Sequence, residues 1–214
     1  MQLDICEIFC SLQGESTFVG LPCIFIRLSG CNLDCSWCDT RYAKKESQSM
    51  NLEQIMKKID LFNCSLVEIT GGEPLLQGGT PAMISMLIKK KYKVLLETNG
   101  SQSIKNIDPE CIRIIDVKCP SSNESGSFLP ENINFLSEND EIKFVIGSRQ
   151  DYDFAKGFIK NKLTGLSRQK IHLSPVSGQI LPEAIAAWMM EDNIRARLSL
   201  QQHKIIWNPD KRGV

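Results

Sequence analysis

Short runs of β-branched and aliphatic residues alternate with longer amphipathic stretches along this chain, and that alternation restricts its fold more than any other feature. Cys23–Ser29, Leu66–Thr70, Lys93–Thr98, Arg113–Lys118, Glu141–Gly147 and Lys170–Ser174 each read as a short buried strand. Strands apolar on both faces belong to a parallel sheet covered by helices. The intervening segments supply those helices. In Asn51–Phe62, Leu52, Ile55, Met56 and Ile59 share one face, and Asn51 followed by Gln54 makes a capping-box start. Pro81–Lys91, Tyr152–Lys162 and Pro182–Met190 repeat the pattern, whereas the Ser-rich stretch Pro120–Pro130 reads as a loop. Gln2–Cys10, ahead of Gly14 and Gly20, fits an added antiparallel edge strand. The expectation is an α/β fold with six parallel strands and fewer helices than strands, a partial, trimmed (β/α)6 TIM-like barrel.

At 214 residues the chain fits one domain, 1–214, with a full-sized core. Lys and Arg number 25 and so do Asp and Glu, so no excess positive charge draws the chain to nucleic acid or to an anionic membrane. Asp4 and Glu7 lie where a secretory leader would be basic, and no run of apolar residues is long enough to span a bilayer, so a cytoplasmic protein is expected. Nine cysteines, an odd number in a chain of this kind, argue against a disulfide framework and for thiols that hold metal. With only His172 and His203, His-rich zinc sites lack ligands.

Cys31, Cys35 and Cys38 form C-x3-C-x2-C immediately after the first predicted strand. A structural zinc would need a fourth ligand, and the nearest other cysteines are Cys23 and Cys64. Three thiolates suit a 4Fe-4S cluster whose fourth iron keeps an open position for chemistry. Cys6, Cys10, Cys23, Cys64, Cys111 and Cys119 read as small buried hydrophobes.

Together with Gly71–Pro74 (GGEP) after the second strand, the cysteine motif resembles the radical S-adenosylmethionine superfamily. The segments FCSLQGES (Phe9–Ser16), IRLSGCNLDCSWCDT (Ile26–Thr40), TGGEP, ETNG (Glu97–Gly100), KFVIGS (Lys143–Ser148) and HKIIW (His203–Trp207) are similar to the 7-carboxy-7-deazaguanine synthases, from one end of the chain to the other. The resemblance implies radical ring contraction of 6-carboxy-5,6,7,8-tetrahydropterin with loss of ammonia. It also implies a 4Fe-4S cluster, S-adenosylmethionine, Mg2+, a flavodoxin or ferredoxin as electron donor, and a homodimer. CNLDCSWCDT, TGGEP and ETNG fall at the C-terminal ends of the first three predicted strands and DVK, IGS and LSPVS at those of the next three, the face on which βα barrels carry their chemistry.

Site residues follow partly from the residues and partly from that resemblance. Cys31, Cys35 and Cys38 are the expected iron ligands, and by resemblance the Thr40 hydroxyl ligates Mg2+. Arg27, charged within an apolar strand, needs an anionic partner, either the pterin carboxylate or a structural glutamate. Gln13 and Glu15 suit the donor and acceptor edge of an aminopyrimidinone, and the resemblance adds Leu12, Gly14 and Thr70 as substrate contacts. For S-adenosylmethionine it implies Trp37, Cys38, Asp39 and Gly72, with Asp116, Val117, Lys118, Ser174 and Ser177 carried over where DVK and LSPVS depart from the more usual Ser-Pro-Lys and Gln-Pro-Met-Ser. Two rivals remain at this stage: a glycyl-radical activase, against which SLQGE and Arg27 argue, and a noncatalytic zinc module.

Overall fold

The computed structural model describes residues 1–208 and 211–214. Strand β1 (Gln2–Leu12) turns into β2 (Pro22–Leu28), and β3 (Gln48–Asn51) leads into helix α1 (Leu52–Ile59). There follow β4 (Leu66–Gly71), α2 (Thr80–Lys89), β5 (Lys93–Thr98), β6 (Ile112–Asp116), β7 (Glu141–Ile146), α3 (Arg149–Lys162), β8 (Ile171–Pro175), α4 (Pro182–Glu191), β9 (Arg197–Leu198) and α5 (His203–Ile206). One open sheet contains all nine strands in the order β3-β1-β2-β4-β5-β6-β7-β8-β9. The strands from β2 through β9 in that order run parallel, while β1 lies antiparallel between β2 and β3.

The six expected strands are β2, β4, β5, β6, β7 and β8, each within a residue or two of the sequence reading. The parallel count is nonetheless seven, because Arg197–Leu198 adds β9, too short to carry a periodic signal. The edge strand expected at the N terminus is β1, and β3 lies outside it. Asn51 caps α1 with the reciprocal Gln54 bonds that its sequence announced. The β5–β6 and β6–β7 connections contain no α-helix among the described residues, only 3-10 turns at Pro120–Ser122 and Pro130–Phe135, which is the trimming expected of the barrel.

Alternation along the strands divides the core. Ile24, Ile26, Leu28, Val67, Ile69, Val94 and Leu96 face outward onto Ile55, Ile59, Met83, Ile84 and Leu87 of the helices. The inner face begins apolar, with Cys23, Phe25, Leu66, Leu95, Ile112 and Ile114 packed on Phe9 and Phe18. Further along the same inward-facing positions the residues turn polar: Arg27, Thr70, Glu97, Asp116 and Lys143 all line one cavity. No helix among the described residues is long and apolar enough to cross a membrane.

Candidate active site

A cavity of about 670 Å3 opens at the C-terminal ends of the parallel strands, and the motifs after β2, β4, β5, β6 and β8 contribute to its lining, with Lys143 and Val145 from β7 itself. One wall is the loop after β2. Cys31, Cys35 and Cys38 line it with Trp37, Asp39 and Thr40, and no further cysteine reaches the cavity among the described residues. Nor do any three His, Cys, Asp or Glu side chains there converge on a single ion. Three thiols along one wall, without a fourth, form a donor set for a cluster with an open iron rather than for a structural zinc.

This loop is braced from both sides. Arg41 Nη2 donates to Cys35 O at 3.2 Å and Ser36 O at 3.0 Å, and Ser36 N donates to Ser122 O at 3.1 Å. Opposite, the strand end after β4 packs on the cysteine loop so closely that a Cβ at Gly72 would lie 2.6 Å from Gly30 C and 2.7 Å from Cys31 Cβ. Only glycine permits that approach. Glu73, fully buried, accepts from Thr98 Oγ1 at 2.8 Å, Asn99 N at 2.7 Å and Leu75 N at 3.0 Å, joining TGGEP to ETNG. Asn99 Nδ2 then donates to Asn32 Oδ1 at 3.3 Å, returning to the cysteine loop.

Thr40 stands at the start of a 3-10 turn, Arg41–Lys44, yet its side chain makes no capping bond; its Oγ1 lies 3.9 Å from Cys38 Sγ. Asp39 pairs with Lys204 at 2.8 Å, which overcomes burial and holds its carboxyl below the usual range.

Lys143 of β7 is the hub of the floor. Its Nζ lies 2.9 Å from Glu15 Oε2 and 3.7 Å from Asp116 Oδ2, and pairs with Glu97 Oε1. Burial alone would raise the Glu15 carboxyl, but Lys143 and the 2.8 Å bond from Gln201 Nε2 overcome it and keep Glu15 ionised. The loop carrying Glu15 is tied down twice more. Gln13 Nε2 donates to Glu68 Oε2, and Thr17 donates through N, at 3.0 Å, and through Oγ1 to Glu141, which also meets His172 Nε2 at 2.8 Å. The C-terminal segment covers this loop: Gln202 N donates to Gly14 O at 2.9 Å, and a Cβ at Gly14 would strike the His203 ring.

Of the residues expected from sequence, Leu12, Gln13, Gly14, Glu15, Arg27, Cys31, Cys35, Trp37, Cys38, Asp39, Thr40, Thr70, Gly72, Asp116, Lys118 and Ser177 share this cavity. Val117 and Ser174 do not reach it; both are fully buried, Val117 in the outer core. Two of these side chains already have partners within the protein. The Gln13 amide bonds at both ends inside the protein, to Glu68 and from Glu15 N at 3.0 Å, so Gln13 orders the loop with one N–H and one lone pair left over. Arg27 has the structural glutamate as a partner, with Nε 2.7 Å from Glu7 Oε1, an oxygen that Tyr42 Oη also reaches at 2.7 Å. Glu68, Glu97, Lys143, Gln201 and His203 line the cavity without having been singled out. Charged residues inside apolar strands were the available signal for the first three, the same signal that pointed to Arg27.

Residues 25–116 match the Radical SAM superfamily. Curated relatives named 7-carboxy-7-deazaguanine synthase include one from Koribacter versatilis, 43% identical over 99% of this chain and 100% of its own length, and one from Chlorobaculum tepidum, also 43% identical over 99% and 97%. The chain belongs to the 7-carboxy-7-deazaguanine synthase family. The fold agrees: the crystal structure of QueE from Escherichia coli superposes with a TM-score of 0.78 at 26% identity, covering 95% of both chains. A structure of TYW1 with a lysine-pyruvate adduct, at 15% identity and a TM-score of 0.54, shares the fold alone. Membership makes this synthase-family chain a radical S-adenosylmethionine enzyme of 7-deazapurine biosynthesis, with a 4Fe-4S cluster and S-adenosylmethionine as its cofactors. The cavity fits both: three thiols without a fourth face it, and Asp116 Oδ1 is buried there without a hydrogen-bond partner.

Proposed function

We propose that the chain converts 6-carboxy-5,6,7,8-tetrahydropterin into 7-carboxy-7-deazaguanine and ammonia, working as one radical S-adenosylmethionine domain over residues 1–214. The observation that carries this reading is a single cavity lined together by the cysteine triad, Arg27, Thr70 and the loop Leu12–Ser16. When bound, the cluster and S-adenosylmethionine supply an electron and a 5′-deoxyadenosyl radical. Product and ammonia together contain every atom of the pterin, so the net reaction needs no oxidant or reductant and S-adenosylmethionine is regenerated.

The chain's own residues bind and orient. Cys31, Cys35 and Cys38 hold the cluster. Trp37–Asp39, Gly72, Asp116 and Lys118 flank the S-adenosylmethionine position, with the Asp116–Lys118 pair, 2.9 Å apart, offering both signs of charge to an amino acid moiety. Val117 and Ser174 are enclosed behind the lining and take no part in this reading. Arg27 is steered by Glu7 through Nε and keeps its terminal N–H groups for the pterin carboxylate. The Thr40 hydroxyl, not spent on capping, is the Mg2+ ligand. A flavodoxin or ferredoxin as electron donor and a homodimer complete the proposal.

Anaerobic reconstitution followed by dithionite, S-adenosylmethionine, Mg2+ and the carboxypterin tests it. 7-Carboxy-7-deazaguanine and ammonia should appear in equal amounts over many turnovers per S-adenosylmethionine. Cleavage of S-adenosylmethionine with the pterin returned unchanged would overturn the assignment of substrate.

A further inference from the structure

The inner face of β4 carries a carboxyl that nothing above uses for chemistry. Glu68 is 4% exposed and lines the cavity. Its partners in register are Phe25 on β2 and Leu95 on β5, so it interrupts an apolar row. An ionised carboxylate there needs a cation. The hub Lys143 is already engaged by Glu15, Glu97 and Asp116, and among the described residues none forms an ion pair with Glu68. Burial, and then the neighbouring charge of Glu97, push its carboxyl well above the usual range, outweighing Gln13 and Lys143. Glu68 is therefore a neutral acid. Because Oε2 accepts from Gln13 Nε2, the acid proton sits on Oε1, which has no hydrogen-bond partner among the described residues.

We propose that Glu68 is a specificity-determining residue that donates a hydrogen bond from Oε1 to an acceptor, a ring nitrogen or the carbonyl oxygen, on the aminopyrimidinone of the bound pterin. The proposal rests on the substrate assignment made above. A carboxylate would accept from the N–H groups of that ring, whereas a neutral acid anchored through its other oxygen reads an acceptor. A buried donor also discriminates, since a ligand lacking the acceptor leaves it unpaired. The same carboxyl fixes the Gln13 amide, so reading the ring and shaping the loop that covers it depend on one side chain.

Two substitutions separate this role from its alternatives. Glu68→Gln keeps one donor and one acceptor without charge at any pH; Glu68→Leu keeps neither. The variants and the wild type are reconstituted anaerobically, and iron content, S-adenosylmethionine affinity and carboxypterin affinity are measured by equilibrium dialysis. Glu68→Gln should bind the pterin within about threefold of wild type, and Glu68→Leu about tenfold more weakly, roughly the weight of one buried hydrogen bond. Iron content and S-adenosylmethionine affinity should not change in either. Wild-type pterin affinity in Glu68→Leu would overturn the proposal by making Glu68 a packing residue. A tenfold loss in Glu68→Gln would overturn it by requiring the ionised carboxylate, and that arm decides even if the leucine variant fails to fold. If the wild type itself neither binds nor turns over the carboxypterin, the substrate assignment fails instead, independently of how the variants compare.

Discussion

Gly72→Ala tests the close packing that sets the cysteine loop. The added Cβ would lie 2.6 Å from Gly30 C and 2.7 Å from Cys31 Cβ, and closer still to Gly30 O. These are backbone atoms and a Cβ, so no rotamer change relieves the clash and the two segments must move apart. That movement strains the 2.8 Å bond from Glu73 N to Gly30 O and the three bonds that hold the buried Glu73 carboxyl. Overpacking of this kind costs about 1–3 kcal/mol. For a chain of this size, 2 kcal/mol lowers Tm by roughly 4–8 °C. The local effect should exceed the global one, because Cys31 itself is displaced. Iron and sulfide per chain after anaerobic reconstitution should fall well below wild type, and the remaining cluster should bind S-adenosylmethionine more weakly. Gly157→Ala is the control: nothing lies within 4 Å of a Cβ there, and the site is inside α3, so alanine should raise stability by up to about 1 kcal/mol and leave iron unchanged. Melting curves of the metal-free proteins with iron assays of the reconstituted ones decide the matter. A Gly72→Ala protein with wild-type Tm and full iron would refute the reasoning.

Alanine at Cys31, Cys35 or Cys38 should lower iron content and abolish turnover, while Cys64→Ala, whose thiol donates to Pro22 O at 3.2 Å, should leave iron intact; equal loss in both kinds would remove the ligand assignment. Asp140→Ala leaves Arg113 buried without its carboxylate and should cost about 3–5 kcal/mol in urea unfolding, with no change in pterin affinity for whatever folds. Burial would raise the Glu141 carboxyl, but its bonds from His172 and Thr17 hold it below the usual range, so its stabilisation is complete above roughly pH 4.3 and lost as pH falls through the lower folded value; Glu141→Gln should flatten part of the acid limb of a Tm-versus-pH curve. Thr40→Val should retain cluster and Tm but shift the Mg2+ dependence of the rate to far higher concentration, with Thr40→Ser close to wild type; an unchanged Mg2+ response in the valine protein would take Thr40 out of the metal site.

The six parallel strands and α1 were legible because their signals are local: a run of β-branched residues, or Asn51 placed three before Gln54. The seventh parallel strand was not, since two residues paired to β8 carry no period and exist only through tertiary contact. In the site, the cysteine wall could be read because its spacing is chemistry in itself. The floor could not be assembled in the same way. Glu15, Glu97, Asp116 and Lys143 come from four separate parts of the chain, and nothing in linear spacing brings Lys143 to Glu15. What could have been read is each residue's oddity, a charge at an inward position of an apolar strand, which implies a partner without naming it. Gln13 shows the converse: a sequence does not show that its amide is already engaged by Glu68 and by the Glu15 N–H, a role in ordering the loop that no spacing announces.

The charge pattern of the floor accounts for how a loop of ordinary sequence is held inside a barrel. Residues 13–17 form no regular element, so their position depends on side chains. Glu15 is held by Lys143 of β7, Gln13 by Glu68 of β4, and Thr17 by Glu141 at the start of β7, so the loop is pinned to two separate strands across the inner face of the sheet. The chemistry differs at each point. At Glu15 the contact is an ion pair, at Gln13 a bond to an acid kept neutral, and at Thr17 a bond to a carboxylate shared with His172. Glu15 and Glu141 are thereby kept beside Lys143 and Lys170, whereas Glu68, buried without an ion-pair partner among the described residues, is the neutral acid. A cation in register with Glu68, as Leu95→Lys would supply, should favour the ionised carboxylate and replace a donor facing the cavity with an acceptor, so pterin affinity in that variant should fall; unchanged affinity in a folded Leu95→Lys protein would refute the donor role.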